Sequence, residues 1–164
     1  MKTTKDLYEL FQRLGINKIE YLHEPIYTVE QAKKACCAVP GWHIKNLFLK
    51  DHKDKLWLVV IDEDKVIRIK NLEKLINSGR LHFASTDTLR KYLGVEPGGV
   101  TPLGLINDLN HEITVVLDKE FFDKPQQLNF HPLRNDATIG ISVNDFEKFI
   151  KHCGNHVVTV NFKS

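Results

Sequence analysis

Two apolar runs, HIKNLFLKD and KLWLVVID, stand on either side of the polar residues 51–54. Each has the length and the β-branched and aromatic content of a strand, and a polar tip between two such runs is a hairpin signal. No other feature constrains the chain as much, because a lone hairpin is unstable in water and needs further strands or a helix to cover it. The rest of the sequence supplies both. Leu7, Leu10, Phe11 and Leu14 fall at i, i+3, i+4 and i+7, which predicts an amphipathic helix stopped by Gly15. IEYLHE reads as a short strand ending before Pro25. Thr28 and Gln31 have capping-box spacing and open a predicted short helix, TVEQAKKAC, which AVPG breaks.

Beyond the hairpin, NLEKLINSG predicts a helix with Leu72, Leu75 and Ile76 inward and Gly79 past its end. LHFAS is a short strand, and Ser85 then caps TDTLRKYLG before Gly94. ITVVLD, LNFHPL and TIGIS read as strands, the first buried because its apolar run is unbroken. Ser142 with Asp145 caps VNDFEKFIKHC, Gly154 ends it, and HVVTVNF is a last strand. Strands outnumber helices and alternate with them irregularly. That predicts a mixed α+β domain rather than a doubly wound parallel sheet.

The length of 164 residues predicts one domain over residues 1–164, long enough to bury its core without a metal or disulfide staple. Lys and Arg number 23 against 21 Asp and Glu, a formal charge of +2, which argues against a protein that coats DNA or RNA non-specifically. A local basic patch is still compatible with it. No run of about 18 apolar residues is present, so no membrane span is expected, and the charged N-terminal segment does not read as a signal peptide. Cys36, Cys37 and Cys153 are an odd set with two adjacent, which predicts a reducing, cytoplasmic setting.

Metal and nucleophile signatures are weak. His152, Cys153 and His156 form one loose group and Cys36, Cys37 and His43 another, but neither has the paired spacing of structural zinc. No G-x-S-x-G elbow, dinucleotide fingerprint or Walker loop occurs. Three places stand out instead. Residues 96–104, EPGGVTPLG, put three glycines and two prolines between structured segments. They are either a tight connector or a wall of backbone N–H groups for an oxyanion. Asn129-Phe130-His131-Pro132 sets a histidine, suited to proton transfer or anchoring, at a strand end. Lys45 shares strand parity with Leu47 and Leu49. Either its ammonium points inward and needs an anion, or it sits at a frayed strand start and reaches water along its stem.

Taken together, Lys45-Asn46, Gly98-Gly99-Val100-Thr101-Pro102-Leu103-Gly104 and Asn129-Phe130-His131-Pro132 resemble the aminoacyl-tRNA editing domains related to the insertion domain of bacterial prolyl-tRNA synthetase. The resemblance runs through nearly the whole chain, and NFHPLRNDATIGIS is its most specific stretch, closer to the alanine-editing branch than to the cysteine-editing one. It implies a mixed α/β fold with a central, mostly antiparallel, barrel-like sheet and surrounding helices. The implied activity is hydrolysis of the aminoacyl ester at the 3′ end of a mischarged tRNA-Pro, without metal or other cofactor. In that reading Lys45 meets the phosphate or ribose of the terminal adenosine, and the backbone of Gly98–Gly104 holds the carbonyl and orients a water. The substrate's own 2′-hydroxyl assists, and His131 shapes or anchors the site rather than serving as sole general base. Asn46 and Asn129 support the substrate, and Lys50, Arg80, Arg90 and Lys91 are candidates for the acceptor stem. Prolyl-tRNA synthetase is a further partner that the resemblance allows. A related deacylase, for cysteinyl-tRNA-Pro for instance, and a non-catalytic binding module of the same fold are the competing readings.

Overall fold

The computed structural model describes residues 1–25, 27, 28, 30, 31, 34 and 39–162. Helix α1 (Thr4–Leu14) starts where Thr3 and Asp6 exchange hydrogen bonds in a capping box, and stops at Gly15 with φ 70°. Strand β1 (Ile19–Leu22) follows, then β2 (Trp42–Asp51) and β3 (Leu56–Asp62), the hairpin expected from the sequence. Helix α2 (Ile69–Ile76), strand β4 (Leu81–Phe83) and helix α3 (Thr86–Leu93) come next, and the glycine-rich segment then closes into a 3-10 turn over Pro102–Asn107. The chain continues through β5 (Ile113–Asp118), a short α4 (Glu120–Asp123), β6 (Leu128–Phe130), β7 (Ala137–Ile141), α5 (Val143–Cys153) and β8 (Val157–Val160). The helix expected over TVEQAKKAC falls largely outside the described residues; at its start the Gln31 amide donates to the Thr28 hydroxyl at 3.1 Å.

The strands form one mixed sheet in the order β1-β7-β6-β2-β3-β5-β8, with β4 beside β2. Four of its pairings are antiparallel (β1/β7, β6/β7, β2/β3, β2/β4) and three parallel (β2/β6, β3/β5, β5/β8). The sheet runs from β1 to β8 without closing. Strand β2 is the hinge of the arrangement. Its first residues, Trp42 and His43, pair with β6, and its last, Leu49 to Asp51, pair with β4.

Side-chain alternation gives β2 two different faces. Phe48 belongs to the larger core, built with α1, α3 and α5 through Leu7, Phe11, Leu93, Phe146 and Phe149. Leu49 belongs to a smaller core on the other side, where Trp57, Val59, Ile61 and Val116 meet Leu72 and Ile76 of α2. Leu75, expected inward, is 47% exposed. In an eight-residue helix the i, i+4 pair Leu72 and Ile76 is stripe enough, and Leu75 falls beside it. The left-handed stop is Asn77 rather than a glycine.

Candidate active site

At the start of β2 the structure places a cavity of about 50 Å³. Among the described residues it is lined by His43, Ile44, Asn46, Glu63, Asn129, Phe130, His131 and Thr138. The topology explains the gathering. His43 pairs with Asn129 across the parallel β2/β6 contact, and the Glu63 amide donates to the His43 carbonyl as β3 ends. His131 follows β6, and Thr138 comes from β7, its antiparallel neighbour.

The polar hydrogens around this cavity are largely committed elsewhere. Asn46 donates through Nδ2 to the Val100 carbonyl at 3.1 Å, and Asn129 donates through Nδ2 to the carbonyls of Pro40 and Trp42, both at 2.9 Å. His131 Nδ1 lies 3.0 Å from the Ala137 carbonyl, and His43 Nε2 lies 3.0 Å from that of Val39. A carbonyl only accepts, so each of these ring nitrogens carries a proton, and in a neutral ring the other nitrogen is an acceptor. Asn46 Oδ1 is buried and has no hydrogen-bond partner among the described residues. Burial holds the His131 pKa below its ordinary value, with the nearby His23 adding to the effect and the Ala137 bond opposing it. The neutral ring is therefore favoured. The cavity thus offers acceptors, Asn46 Oδ1 and His131 Nε2 among them, to whatever enters.

Of the residues singled out in the sequence, Asn46, Asn129 and His131 meet here. The glycine loop adjoins them through the Asn46–Val100 bond. Within that loop Gly98 has φ 85°, a conformation that favours glycine, and the Gly99 amide donates to the Glu96 carbonyl. Thr101 receives the Leu103 amide on its hydroxyl and the Gly104 amide on its carbonyl. Pro102, Leu103 and Gly104 are buried, and a Cβ on Gly104 would lie 2.8 Å from the Leu93 carbonyl oxygen. This second half of the loop packs against α3. Arg90 of that helix grips the Glu96 carboxylate at 2.9–3.0 Å, bracing the loop's first half.

Lys45 does not line the cavity. Its ammonium donates to the carbonyl of Lys65, on the smaller-core side of β2. The spot is close by nonetheless: Lys65 is two residues from the cavity-lining Glu63, at most about 7 Å of extended chain. The proposed acceptor-stem cations fall in two places, Lys50 and Arg80 at the β2/β4 end and Arg90 and Lys91 on α3. Lys50 pairs with Asp54 at 3.4 Å, and Lys91 lies over the Tyr92 ring at 5.1 Å. Arg90 is tied to Glu96 and Asp87, whereas the exposed Arg80 has no ion pair among the described residues. His43, Glu63 and Thr138 were not singled out as substrate contacts from the sequence. Only the sheet pairing brings them to the cavity, and the one local signal is that His43 and Glu63 flank the hairpin. Among the described residues no group of three His, Cys, Asp or Glu side chains is placed to hold a metal ion. Burial pushes the Cys153 thiol up to about 12, and Cys36 and Cys37 lie outside the described residues. No helix among the described residues is long and apolar enough to cross a membrane.

Comparison with known proteins places this geometry in a class. A model of the aminoacyl-tRNA editing domain family matches residues 23–149. The chain is 41% identical over 143 residues to the prolyl-tRNA editing protein ProX of Acetoanaerobium sticklandii, with 87% of each chain covered. It is 37% identical over 161 residues to prolyl-tRNA synthetase associated domain-containing protein 1 of Mus musculus, covering 94% of this chain and 95% of that one. It shares its fold, with a TM-score of 0.68 at 18% identity and 99% of both chains covered, with the crystal structure of a candidate trans-editing enzyme for prolyl-tRNA synthetase. The chain therefore belongs to the aminoacyl-tRNA editing domain family.

Proposed function

We propose that the protein is a trans-editing hydrolase that removes alanine from mischarged tRNA-Pro by cleaving the aminoacyl ester at the tRNA 3′ end. The observation that carries this reading is the small acceptor-lined cavity, about 50 Å³, bordered by the glycine loop in a chain of the editing family. The cavity is small, and the alanyl methyl group is the amino-acid side chain it suits best. A prolyl ring is excluded by collision, and exclusion discriminates more strongly than the 1–3 kcal/mol or so that attraction for one extra methylene provides.

The chemistry asks little of the protein, because an aminoacyl ester is already activated. A water that donates one hydrogen to Asn46 Oδ1 or His131 Nε2 keeps its other hydrogen for the substrate's 2′-hydroxyl and a lone pair for the carbonyl carbon. The amides of Gly98 and Val100, which the loop's own turns do not use, are available to the developing oxyanion. As the carbon–oxygen bond to the ribose 3′-oxygen breaks, the proton released by the water ends on that oxygen, with the substrate's 2′-hydroxyl as the relay. Asn129, its own amide fully used, fixes the wall of the cavity, and Thr101 to Gly104 support the loop from behind. Lys45 provides the cation beside the cavity for the terminal phosphate or ribose. Arg80, with Lys50 near it at the far end of β2, meets the acceptor stem. The names of the relatives support tRNA-Pro as the substrate and prolyl-tRNA synthetase as a partner, and a cytoplasmic setting goes with that substrate. Alanyl- and cysteinyl-tRNA-Pro offered separately to the pure protein test the pocket. Faster release of alanine is expected; faster release of cysteine assigns the site to the related deacylase instead.

A further inference from the structure

A charged cluster lies close to the cavity, and no step described above uses it. Lys65 follows β3 with its side chain 12% exposed, and its Nζ meets Asp118 Oδ2 at 2.7 Å and Glu120 Oε2 at 2.8 Å. Asp118, at the end of β5, is fully buried, and its other oxygen accepts the Glu120 amide at 3.0 Å. Burial works against the Lys65 charge, but the two carboxylates outweigh it and raise its pKa. The backbone is held as well, since the Lys65 amide donates to the Asp62 carbonyl at 3.1 Å. Lys65 is thus fixed at both ends of the residue. Its carbonyl oxygen is the group that accepts from the Lys45 ammonium.

A lysine side chain has four rotatable bonds, and holding it in one place costs entropy that an exposed lysine does not recover. Here one of the three ammonium donors is given to the carbonyl of a residue held at both ends, and two remain for a ligand. We infer that Lys65 is a positioning residue for Lys45: the clamp of Asp118 and Glu120 fixes the Lys65 carbonyl, which holds the Lys45 ammonium at the mouth of the site. The inference rests on the reading of Lys45 as the cation that meets the tRNA end. It adds that this cation is preorganised by an ion cluster anchored on β5 and α4, two elements that do not line the cavity.

Kinetics of alanyl-tRNA-Pro hydrolysis over a range of salt concentrations test it with four proteins: wild type, Lys45→Ala, Lys65→Met and the double variant. Lys65→Met is expected to raise KM at least tenfold with little change in kcat. It should also reduce the slope of log(1/KM) against log salt by about one, as loss of a phosphate-contacting lysine does. The double variant should be no worse than Lys45→Ala alone, because the two side chains act through one contact. Lys65→Arg, which keeps both ion pairs, should restore most of the activity. Removing one partner of a buried pair can unfold a protein, so Lys65→Gln with Asp118→Asn gives a second version that lacks the buried ion pair and keeps a hydrogen bond between the two positions. It should show the same change in slope if the ion pair does the positioning. Additive losses in the double variant with an unchanged salt slope would overturn the positioning role while leaving Lys45 in place. Full activity of Lys45→Ala would instead overturn the reading on which it rests.

Discussion

The two faces of β2 bear different chemistry one residue apart. Asn46 looks toward a small cavity whose polar side chains have given their hydrogens to backbone carbonyls and present acceptors. Lys45 looks toward a cluster of full charges, in which Lys65 pairs with both Asp118 and Glu120 and offers its carbonyl to Lys45. The difference follows from the period of a strand, which sends neighbours to opposite sides. It lets one segment serve two tasks that interfere if mixed. In the proposed reading the acceptor-lined pocket holds the ester and the water, while the cation that attracts phosphate sits outside it.

The comparison can be broken by exchanging what each face loses. Lys45→Ala is expected to lower kcat/KM about 100-fold, mostly through KM, since a charge-assisted hydrogen bond contributes about 1.5–3 kcal/mol. Asn46→Ala should lower kcat about 10- to 100-fold with the salt dependence unchanged, because the lost contact is to a neutral water. Steady-state kinetics at two salt concentrations distinguish the two, and identical salt responses would erase the proposed division. Gly104→Ala tests the loop's support. The new Cβ meets the Leu93 backbone at 2.8 Å, and overpacking of this kind costs about 1–3 kcal/mol, read as a lower urea midpoint. The reverse finding, unchanged stability with lost activity, would put Gly104 in contact with substrate.

A smaller effect concerns pH. The folded pKa of His131 is depressed, so below the ordinary imidazole value of about 6.5 the unfolded chain takes up a proton that the folded one does not. Stability from this group is present above that value and is lost as pH falls through the folded pKa, by at most about 1.4 kcal/mol per pH unit. His131→Asn keeps a donor for the Ala137 carbonyl and removes the titration. Urea midpoints at pH 5 and 7.5 should therefore fall less in this variant than in the wild type. The smallest expected effect is none: dialysis against a chelator should leave the hydrolysis rate unchanged, and a loss restored by added metal would contradict the proposed chemistry.

Most elements were legible because each carries a local signal. The Ser85 and Ser142 caps and the glycines at 15, 94 and 154 mark helix ends by backbone chemistry that does not depend on the rest of the fold. The hairpin was legible from its two apolar runs. Less local features were not. The parallel β2/β6 contact joins residues far apart in sequence, so the meeting of His43, Glu63 and Thr138 with His131 has no signature in any one segment. The 3-10 turn after Pro102 and the short helix over Glu120–Asp123 are too brief for a periodic pattern. Parity left Lys45 either inward or at a frayed strand start; it is half-buried, and the group it meets is the Lys65 carbonyl, not an anion.

Cleavage of alanyl-tRNA-Pro and prolyl-tRNA-Pro, measured side by side at equal concentration with the wild-type protein, tests the central claim most directly. The account predicts that alanine is released rapidly while the prolyl ester decays no faster than in buffer alone. Equal rates for the two esters would contradict the small cavity as the selecting element, and no release of alanine would contradict the hydrolytic function itself.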